Sequence, residues 1–315
     1  MREHDLLEKE DMDSLSMDEI HGWYLGANIT LGNPPHLSYS EKNGNFSLIQ
    51  CYGSGHLGSD VLTIGSTSSR VTVGIYDKIG WCYEDGPTDG RLGLSTGTSK
   101  LGKDAPSLLR EIVGQLDQPI FTIWHNRTRD GTGEAQLTLG AEDTEHCRFD
   151  WAYAPRVIVS NYNGYSYNYA VNATQIRAFN SNGSLTASWP NTTLVNVRND
   201  LYSPSASIDV FNLFLNASNT APVYDSKIGK WVVNCDLSKI GNVVISVGNG
   251  ASVVLTPSDF TVCNSYFDAC YVTVTDYKYG NFLTFGRHFL NSHCIAYNAQ
   301  KDQVGFASVK SNQCS

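Results

Sequence analysis

Charged residues are scarce in this chain of 315 residues, and the charges present are mostly negative. They make up 17% of the composition, against about 25% in an average soluble domain, and 31 acidic residues outnumber 22 basic ones. No cluster of Lys and Arg occurs, so the sequence lacks the positive patch by which proteins bind nucleic acids or anionic membranes. No apolar run approaches the length of a bilayer span, so we expect no membrane span.

The N-terminus lacks the apolar segment that defines a signal peptide. Residues 1–20 instead contain eight acidic and two basic residues, which gives −6 of the total net charge of −9. Such a charged segment buries too little apolar surface to fold alone. We therefore predict an acidic, disordered leader over residues 1–21.

Stretches with helical periodicity are also rare, whereas short alternating runs of apolar and polar residues are frequent. These runs are rich in Val, Ile, Thr and Tyr, and turn-forming Gly, Asn, Asp and Ser separate them. Strands are predicted at 61–65, 70–76, 120–124, 135–140, 167–179, 192–197, 230–237, 242–247, 252–255, 270–277 and 303–309. Only 105–116 and 205–218 have helical periodicity, and 180–191 resembles a long loop. The sequence predicts an all-β protein with minor helix, in two halves of roughly 150 residues each.

The eight cysteines include no Cys-x-x-Cys pair, so their spacing does not match a zinc ribbon or knuckle. An even number of cysteines and an excess of Asn-x-Ser/Thr sequons favour an oxidising, exported environment. The seven sequons begin at Asn28, Asn45, Asn126, Asn172, Asn182, Asn191 and Asn216. The composition thus predicts an exported glycoprotein, in conflict with the missing signal peptide.

Three local motifs match known sites only in part. Gly53–Gly58 fits the G-x-G-x-x-G dinucleotide fingerprint, but a strand-like run follows instead of a helix, which favours a hairpin tip. Gly93–Gly97 fits the G-x-S-x-G nucleophile elbow, but turn-like residues follow it. His288 and His293 lack the spacing and the carboxylate of a metal site. We therefore predict neither a metal nor a cofactor.

Six segments, in the same order and at similar spacing, together resemble the pepsin-like aspartic peptidases. They are Tyr24–Pro35, Gln50–Gly58, Asp89–Leu94, Phe121–Cys147, Lys230–Phe260 and Phe282–Ala307, the last of which contains Val-Gly-Phe-Ala. The resemblance extends over about 280 residues and implies a bilobal pepsin-like fold. On this basis the first lobe spans 22–155 and is truncated, and the second lobe spans 156–315.

The resemblance also assigns roles to individual residues. Tyr52 and Gly53 occupy the flap, the hairpin that closes over a bound peptide, and Cys235 and Cys270 correspond to a common second-lobe disulfide. The sequence assigns no pairing to Cys51, Cys82, Cys147, Cys263, Cys294 and Cys314. The family further implies a monomer that binds a peptide or protein in an interlobe cleft, in an extracellular or lysosome-like compartment.

The catalytic residues of the family are absent from the sequence. Its members use two aspartates, one per lobe, each in an Asp-Thr/Ser-Gly loop, and the pair shares one proton. Neither loop occurs in this chain, and Asn196 occupies the position of the second-lobe aspartate. Only 16 residues, His36–Cys51, separate Pro35 from Tyr52, which is too short for the first catalytic loop and its strands. We therefore expect no catalytic residue.

Two further features concern the surroundings of the lost loops. Arg91 replaces an apolar residue beneath the first loop, and an unpaired guanidinium is costly to bury, so we expect that region to be open or rearranged. Asp89 and Asp200 remain as carboxylates nearby, but nothing in the sequence specifies the shared-proton geometry between them.

Three functions remain open. The first is a catalytically inactive homologue that binds peptide or protein through its flap and cleft. The second is an active aspartic-type endopeptidase for acid proteolysis, whose sequence here is missing its signal peptide and first catalytic loop. The third is a non-functional remnant, because loss of a central strand leaves backbone groups unpaired. We prefer the first, because a segment missing from one lobe does not explain Asn196 in the other.

Overall fold

The structure is a computed structural model. It describes residues 22–23, 30–31, 45–48, 53–64, 67–78, 92–94, 108–126, 134–158, 169–197, 204–218, 221–248, 250–264, 268–278 and 280–310. Their contacts divide the chain into two compact units, with the main division falling between Gln118 and Pro119. Among these residues, no helix has the length and apolar character needed to cross a membrane.

The described part of the first unit consists mainly of one antiparallel sheet. The described strands of this unit are β1 (Gly22–Trp23), β2 (Thr30–Leu31), β3 (Asn45–Leu48), β4 (Gly53–Ile64), β5 (Thr67–Lys78) and β6 (Leu92–Gly93), of which β1 and β6 form a separate two-stranded sheet. The long strand β4 pairs with β5 along its length and also with β2 and β3, while β1 pairs with β6. The glycine-rich segment 53–58 therefore lies within β4, and the predicted hairpin tip at this segment is wrong. Strands β3 and β5 pair with this part of β4 on either side.

The helix predicted at 105–116 is confirmed in its core but is shorter. Helix α1 (Leu108–Ile112) continues into a 3₁₀ turn at Val113–Gln115. Leu108, Leu109 and Ile112 are buried, as expected for one apolar stripe on a helix. The chain then becomes extended at Leu116, where the first unit nears its end.

The second unit contains most of the described strands. They are β7 (Ile120–Asn126), β8 (Glu134–Leu139), β9 (Ala152–Val157), β10 (Ala170–Phe179), β11 (Leu185–Trp189), β12 (Thr193–Val197), β13 (Ser205–Ser207), β14 (Val223–Asp225), β15 (Lys230–Val233), β16 (Val243–Val247), β17 (Ala251–Leu255), β18 (Thr261–Asn264), β19 (Ala269–Val272), β20 (Thr275–Tyr277), β21 (Phe282–Phe285), β22 (His293–Asn298) and β23 (Gln303–Ser308). Ten of them form a continuous path in the order β20-β13-β21-β12-β10-β9-β23-β22-β7-β8. Strands β11 and β16 also pair with β10, and β17 pairs with β16. A separate four-stranded sheet has the order β14-β15-β19-β18.

Burial along the strands explains why some were visible in the sequence and others were not. Strand β16 alternates buried and partly exposed residues, which is the pattern of a sheet with one face on the core. Every residue of β22 is buried, because this strand lies between β7 and β23 in the large sheet. Strand β11 is mostly exposed, so it carries little apolar signal, and the loop predicted at 180–191 is wrong for this reason.

The second predicted helix also needs correction. Residues 205–207 form β13, and helix α2 spans Ile208–Asn216. Its buried face consists of Val210, Phe211, Leu213 and Phe214, whereas Ile208 is exposed. Two short helices follow, α3 (Pro257–Phe260) and α4 (Arg287–Leu290). Helix α3 is stabilised at its start by a capping box, in which the Asp259 carboxylate accepts hydrogen bonds from the backbone N–H and hydroxyl of Thr256.

The predicted lobe boundary at 155/156 differs from the division by contacts. Strands β7 and β9 pair with β22 and β23, so they belong to the sheet of the second unit. The lobes 22–155 and 156–315 therefore remain an assignment by family resemblance. The acidic leader predicted at 1–21 lies outside the described residues.

Candidate functional site

Asn196 lies on β12 in the interior of the large sheet. Strand β12 pairs antiparallel with β10 on one side and parallel with β21 on the other. The flanking residues Val195 and Val197 are buried, as expected for a central strand. Asn196 is also buried, with only 3% of its surface exposed. An amide thus lies between two buried apolar residues of a central strand.

Neighbouring strands place further polar residues in register with Asn196. Asn196 is paired with Thr284 of β21, and Thr284 is in turn paired with Ser205 of β13. Paired residues on adjacent strands project from the same face of a sheet. Thr284 and Ser205 are buried to nearly the same degree, at 7% and 9% exposure. The three residues therefore form a polar row across β12, β21 and β13, which we call the Asn196 row.

The amide of Asn196 is not satisfied within the described part of the protein. Its Nδ2 atom is buried without a hydrogen-bond partner, and the same holds for Ser207 Oγ and Thr273 Oγ1. A buried polar group without a partner costs about 1–3 kcal/mol. Such groups are uncommon in folded proteins, and one place where they occur is a functional position, where binding needs a polar atom that is ready to pair. The Asn196 row is therefore the strongest candidate site in the second unit.

The chemistry available to the Asn196 row is limited to hydrogen bonding. The amide donates through Nδ2 and accepts through Oδ1, and the hydroxyls of Thr284 and Ser205 can do both. None of these groups exchanges a proton near neutral or acid pH, so none can serve as a general acid or base. The row can hold a polar ligand or a water, but it cannot activate one.

The flap residues predicted from the sequence are only partly described. Gly53 is the first residue of β4 and is paired with Leu48 of β3, so the two strands are antiparallel neighbours joined through residues 49–52. Tyr52 lies outside the described residues, as do Asp89, Arg91 and Asp200. The assignment of Tyr52 and Gly53 to a flap remains a prediction.

The buried side chain of His293 makes aromatic and polar contacts that connect neighbouring elements. Its ring stacks on Phe289 at a centroid distance of 4.2 Å, and its Nδ1 atom lies 2.8 Å from the Ser292 hydroxyl. The same hydroxyl donates a hydrogen bond to the buried carboxylate of Asp259. Burial lowers the pKa of His293, although the nearby charge of Asp259 opposes this shift. The contact links α3 to the start of β22.

A second charged group joins β9 to the turn between β22 and β23. Arg156 Nε donates to Asp302 Oδ1 at 2.6 Å, and the Tyr297 hydroxyl donates to the same oxygen at 2.9 Å. Although burial opposes the shift, hydrogen bonds from Arg156 and Tyr297 lower the pKa of Asp302. Burial raises the pKa of Tyr297 to about 12. Asp302 has a positive φ of 50°, and these bonds hold it in that conformation.

The structure assigns disulfide partners to cysteines whose pairing could not be predicted from the sequence. Cys147 and Cys294 form a disulfide with a Cα–Cα distance of 6.0 Å, in an apolar cluster with Trp124 and Ala307. Cys270 lies at bonding distance from Cys235, as the family resemblance predicted, but also from Cys263. The sulfur atoms of these three cysteines all lie within 4.8 Å of one another. Nothing in the sequence singles out Cys263 beyond its position seven residues before Cys270.

The polar residues that lie in register with Asn196 were also missed by sequence reasoning. Thr284 sits within the apolar run Phe282–Phe285, and a single Thr in a buried strand is common because its side chain packs well in sheets. Only the register between β12 and β21 shows that Thr284 lies beside Asn196. A polar residue inside an apolar strand was the only available signal.

Comparison with known proteins identifies relatives over most of the chain. A model of the family described as "Eukaryotic aspartyl protease" matches residues 35–309. Aspartic protease 6 of Caenorhabditis elegans is 26% identical over 287 residues, which cover 84% of this chain and 68% of that protein. Rhizopuspepsin-5 of Rhizopus niveus is 25% identical over 262 residues, covering 81% of this chain and 61% of that protein. The chain thus spans about two thirds of the length of these curated relatives.

Proposed function

The chain belongs to the eukaryotic aspartyl protease family, and we propose that it is a non-catalytic member that binds extended peptides. The observation that carries this proposal is the buried, unpartnered amide of Asn196, a residue that the family resemblance aligns with the second catalytic aspartate. Such a protein would bind peptide without the proton chemistry of the family.

The loss of catalysis follows from the chemistry of the carboxylate pair. One carboxylate of the pair must take a proton from water while the other donates a proton to the peptide carbonyl. An amide at residue 196 can do neither. The sequence contains no Asp-Thr/Ser-Gly loop that could supply the first carboxylate either. Both halves of the pair are therefore missing.

Peptide binding does not depend on the missing carboxylates. An extended peptide is held mainly by main-chain hydrogen bonds to strands, with pockets for alternate side chains. The β3–β4 hairpin supplies strands at the place where the family resemblance locates the flap.

Calorimetric titration of the purified protein with a pepstatin-like ligand and with extended hydrophobic peptides tests this proposal. We expect binding in the micromolar range or tighter, without cleavage of the peptide. Tyr52→Ala, which truncates the predicted flap residue, should weaken binding by about tenfold. Tyr224→Ala is the matched control, because Tyr224 is an exposed tyrosine on β14. Absence of binding up to millimolar ligand, or equal weakening by both variants, would contradict the proposal.

An active aspartic-type endopeptidase is the second candidate. The family match and the relatives named as proteases favour it. The stretch of only 16 residues between Pro35 and Tyr52 is the place where a segment would be missing from the sequence. Mass-spectrometric peptide mapping of the native protein across this junction separates the two candidates. An additional segment with Asp-Thr/Ser-Gly would favour the endopeptidase, whereas a continuous peptide through the junction favours the non-catalytic binder.

We also propose that the protein is an exported glycoprotein. Four of the seven sequon asparagines, Asn172, Asn182, Asn191 and Asn216, are exposed in the structure, so they are accessible to glycosylation. The buried Cys147–Cys294 disulfide is typical of a protein that folds in an oxidising compartment. A loss of mass on enzymatic deglycosylation of the native protein would test this assignment.

A further inference from the structure

Three cysteines converge at one point of the small sheet in the second unit. Cys263 on β18 and Cys270 on β19 are direct partners across the two strands, with a Cα–Cα distance of 3.9 Å. Cys235 follows β15, whose Val233 is paired with Cys270, and its Cα lies 5.1 Å from that of Cys270. Both Cys235 and Cys263 are therefore positioned to bond to the same sulfur.

One sulfur atom forms only one disulfide, so the two bonds to Cys270 exclude each other. Whichever bond is present, the third cysteine has no partner within this cluster and lies beside the disulfide, because all three sulfurs lie within 4.8 Å of one another. A thiolate next to a disulfide is the arrangement required for exchange, since exchange proceeds by attack of a thiolate on a disulfide sulfur.

We propose that Cys235, Cys263 and Cys270 form a thiol–disulfide exchange site. Cys270 stays bonded in both states, and Cys235 and Cys263 alternate as its partner. In the forward step the Cys263 thiolate attacks Cys270 Sγ, the Cys263–Cys270 bond forms and the Cys235–Cys270 bond breaks. The bonding electrons leave with Cys235 Sγ, which takes up a proton. One disulfide is exchanged for another, so the step needs no oxidant or reductant.

Burial of the three residues sets their roles. Cys270 is buried, whereas Cys235 and Cys263 are exposed. The shared sulfur is thus shielded from outside thiols, while the alternating partners reach solvent and can lose or gain a proton. The released thiol is accessible in either state and is a site for modification by thiol-reactive small molecules.

The two states constrain the sheet differently. The Cys235–Cys270 bond links residues 35 apart and ties the segment after β15 to β19. The Cys263–Cys270 bond links residues only 7 apart, within the β18–β19 pair. In the second state β15 is attached to β19 only by its strand pairing at Val232 and Val233. Exchange therefore releases the end of β15 from a covalent link without unfolding the sheet.

Disulfide mapping of the unreduced protein tests the proposal. Free thiols are trapped with N-ethylmaleimide at acid pH, before and after incubation at pH values around neutral, and the linked peptides are identified by mass spectrometry. We expect two populations, Cys235–Cys270 with Cys263 trapped and Cys263–Cys270 with Cys235 trapped. The approach to their final ratio should quicken by about tenfold per pH unit, because the thiolate fraction rises by that factor below the thiol pKa.

Two variants and one internal control sharpen the experiment. Cys263→Ser should fix the Cys235–Cys270 bond, and Cys235→Ser should fix the Cys263–Cys270 bond, each without change over time. The Cys147–Cys294 disulfide should be found intact in every sample. A single Cys235–Cys270 bond that never changes, a bond from Cys263 to Cys51, Cys82 or Cys314, or three cysteines protected only by an added metal ion would overturn the proposal.

Discussion

At the scale of single residues, Asn196 is where the sequence departs most clearly from what packing alone would select. A central strand with Val195 and Val197 buried on either side would be more stable with an apolar residue between them. The cost of the unpartnered amide is the kind of cost that proteins accept at functional positions. Stability and function should therefore respond in opposite directions to a change at this residue.

Replacing Asn196 by Leu should raise the free energy of unfolding by about 1 kcal/mol, because an apolar side chain with the same number and branching of heavy atoms replaces the buried amide that has no partner. Asn298→Leu is the matched control. Asn298 is also buried, at 8% exposure, but its Oδ1 accepts a hydrogen bond from the Lys301 backbone N–H at 3.0 Å. That variant should lose about 1–2 kcal/mol. Urea unfolding of both variants checks the prediction, and destabilisation of similar size in both would contradict it.

Gly241 is required by close packing of the backbone. A Cβ atom at this position would overlap the carbonyl oxygens of Phe179 and Asn180, and the Gly241 N–H is fixed by a 2.8 Å hydrogen bond to Ala217 O. Gly241→Ala should therefore lower the free energy of unfolding by about 3 kcal/mol. Gly114→Ala serves as control, since a Cβ there would meet nothing within 4 Å. Thermal unfolding should leave the control near wild type, and equal melting temperatures for the two variants would refute the prediction.

His293 should make stability depend on pH. Its pKa is lowered by burial, so the unfolded chain takes up a proton at a higher pH than the folded protein does. As pH falls below the usual histidine pKa of about 6.5, the unfolded state gains stability and the folded protein loses it, until the lower folded-state pKa is reached. The charges facing the imidazole, Asp259 and Asp150, oppose this effect without reversing it.

His293→Phe removes this proton uptake while keeping the stacking on Phe289. The free energy of unfolding of the wild type should fall more between neutral and mildly acid pH than that of the variant. A constant offset between the two proteins reflects lost hydrogen bonds and does not bear on the prediction. Parallel curves over the whole range would show that His293 does not contribute to the pH dependence.

At the scale of elements, periodicity identified the strands that bury one face and missed those that do not. All eleven strand segments predicted from alternation contain strands of the structure, for example β10 and β16, because their buried and exposed positions alternate. Strand β22 was missed because it is buried on both faces, so its buried and exposed positions do not alternate. Strand β11 was missed because it is mostly exposed, so its residues show no alternation of buried and exposed positions.

The Cys147–Cys294 disulfide joins the segment after β8 to β22 and closes a long loop. Its cysteines are separated by 147 residues, for which chain entropy in the unfolded state suggests a stabilisation of about 5 kcal/mol. The double variant Cys147→Ala with Cys294→Ala should lose much of that stability in denaturant unfolding without reductant. Cys263→Ser, which leaves this bond intact, should unfold near wild type. A double variant as stable as Cys263→Ser would contradict the assigned role of the bond.

At the scale of the whole molecule, the family and the all-β class could be predicted from the sequence, whereas the neighbours of the site could not. Spaced motifs such as Val304–Ala307 identify the family because they are read in order along the chain. Asn196 lies in one row with Thr284 and Ser205 because of the strand register. Asn196 and Thr284 are nearly 90 residues apart in the sequence, and local patterns do not encode the register between such distant strands. The convergence of Cys263 with Cys235 depends on the sheet order β15-β19-β18 in the same way.

An assay of acid proteolysis tests the proposed loss of catalysis most directly. The purified protein is incubated at acid pH with an unstructured protein substrate, with and without pepstatin, beside the Asn196→Asp variant. We expect no pepstatin-sensitive cleavage by either protein, because restoring one carboxylate does not restore the pair. Pepstatin-sensitive cleavage by the wild type that disappears on replacing Asp89 or Asp200 would show that the chain is an active aspartic endopeptidase.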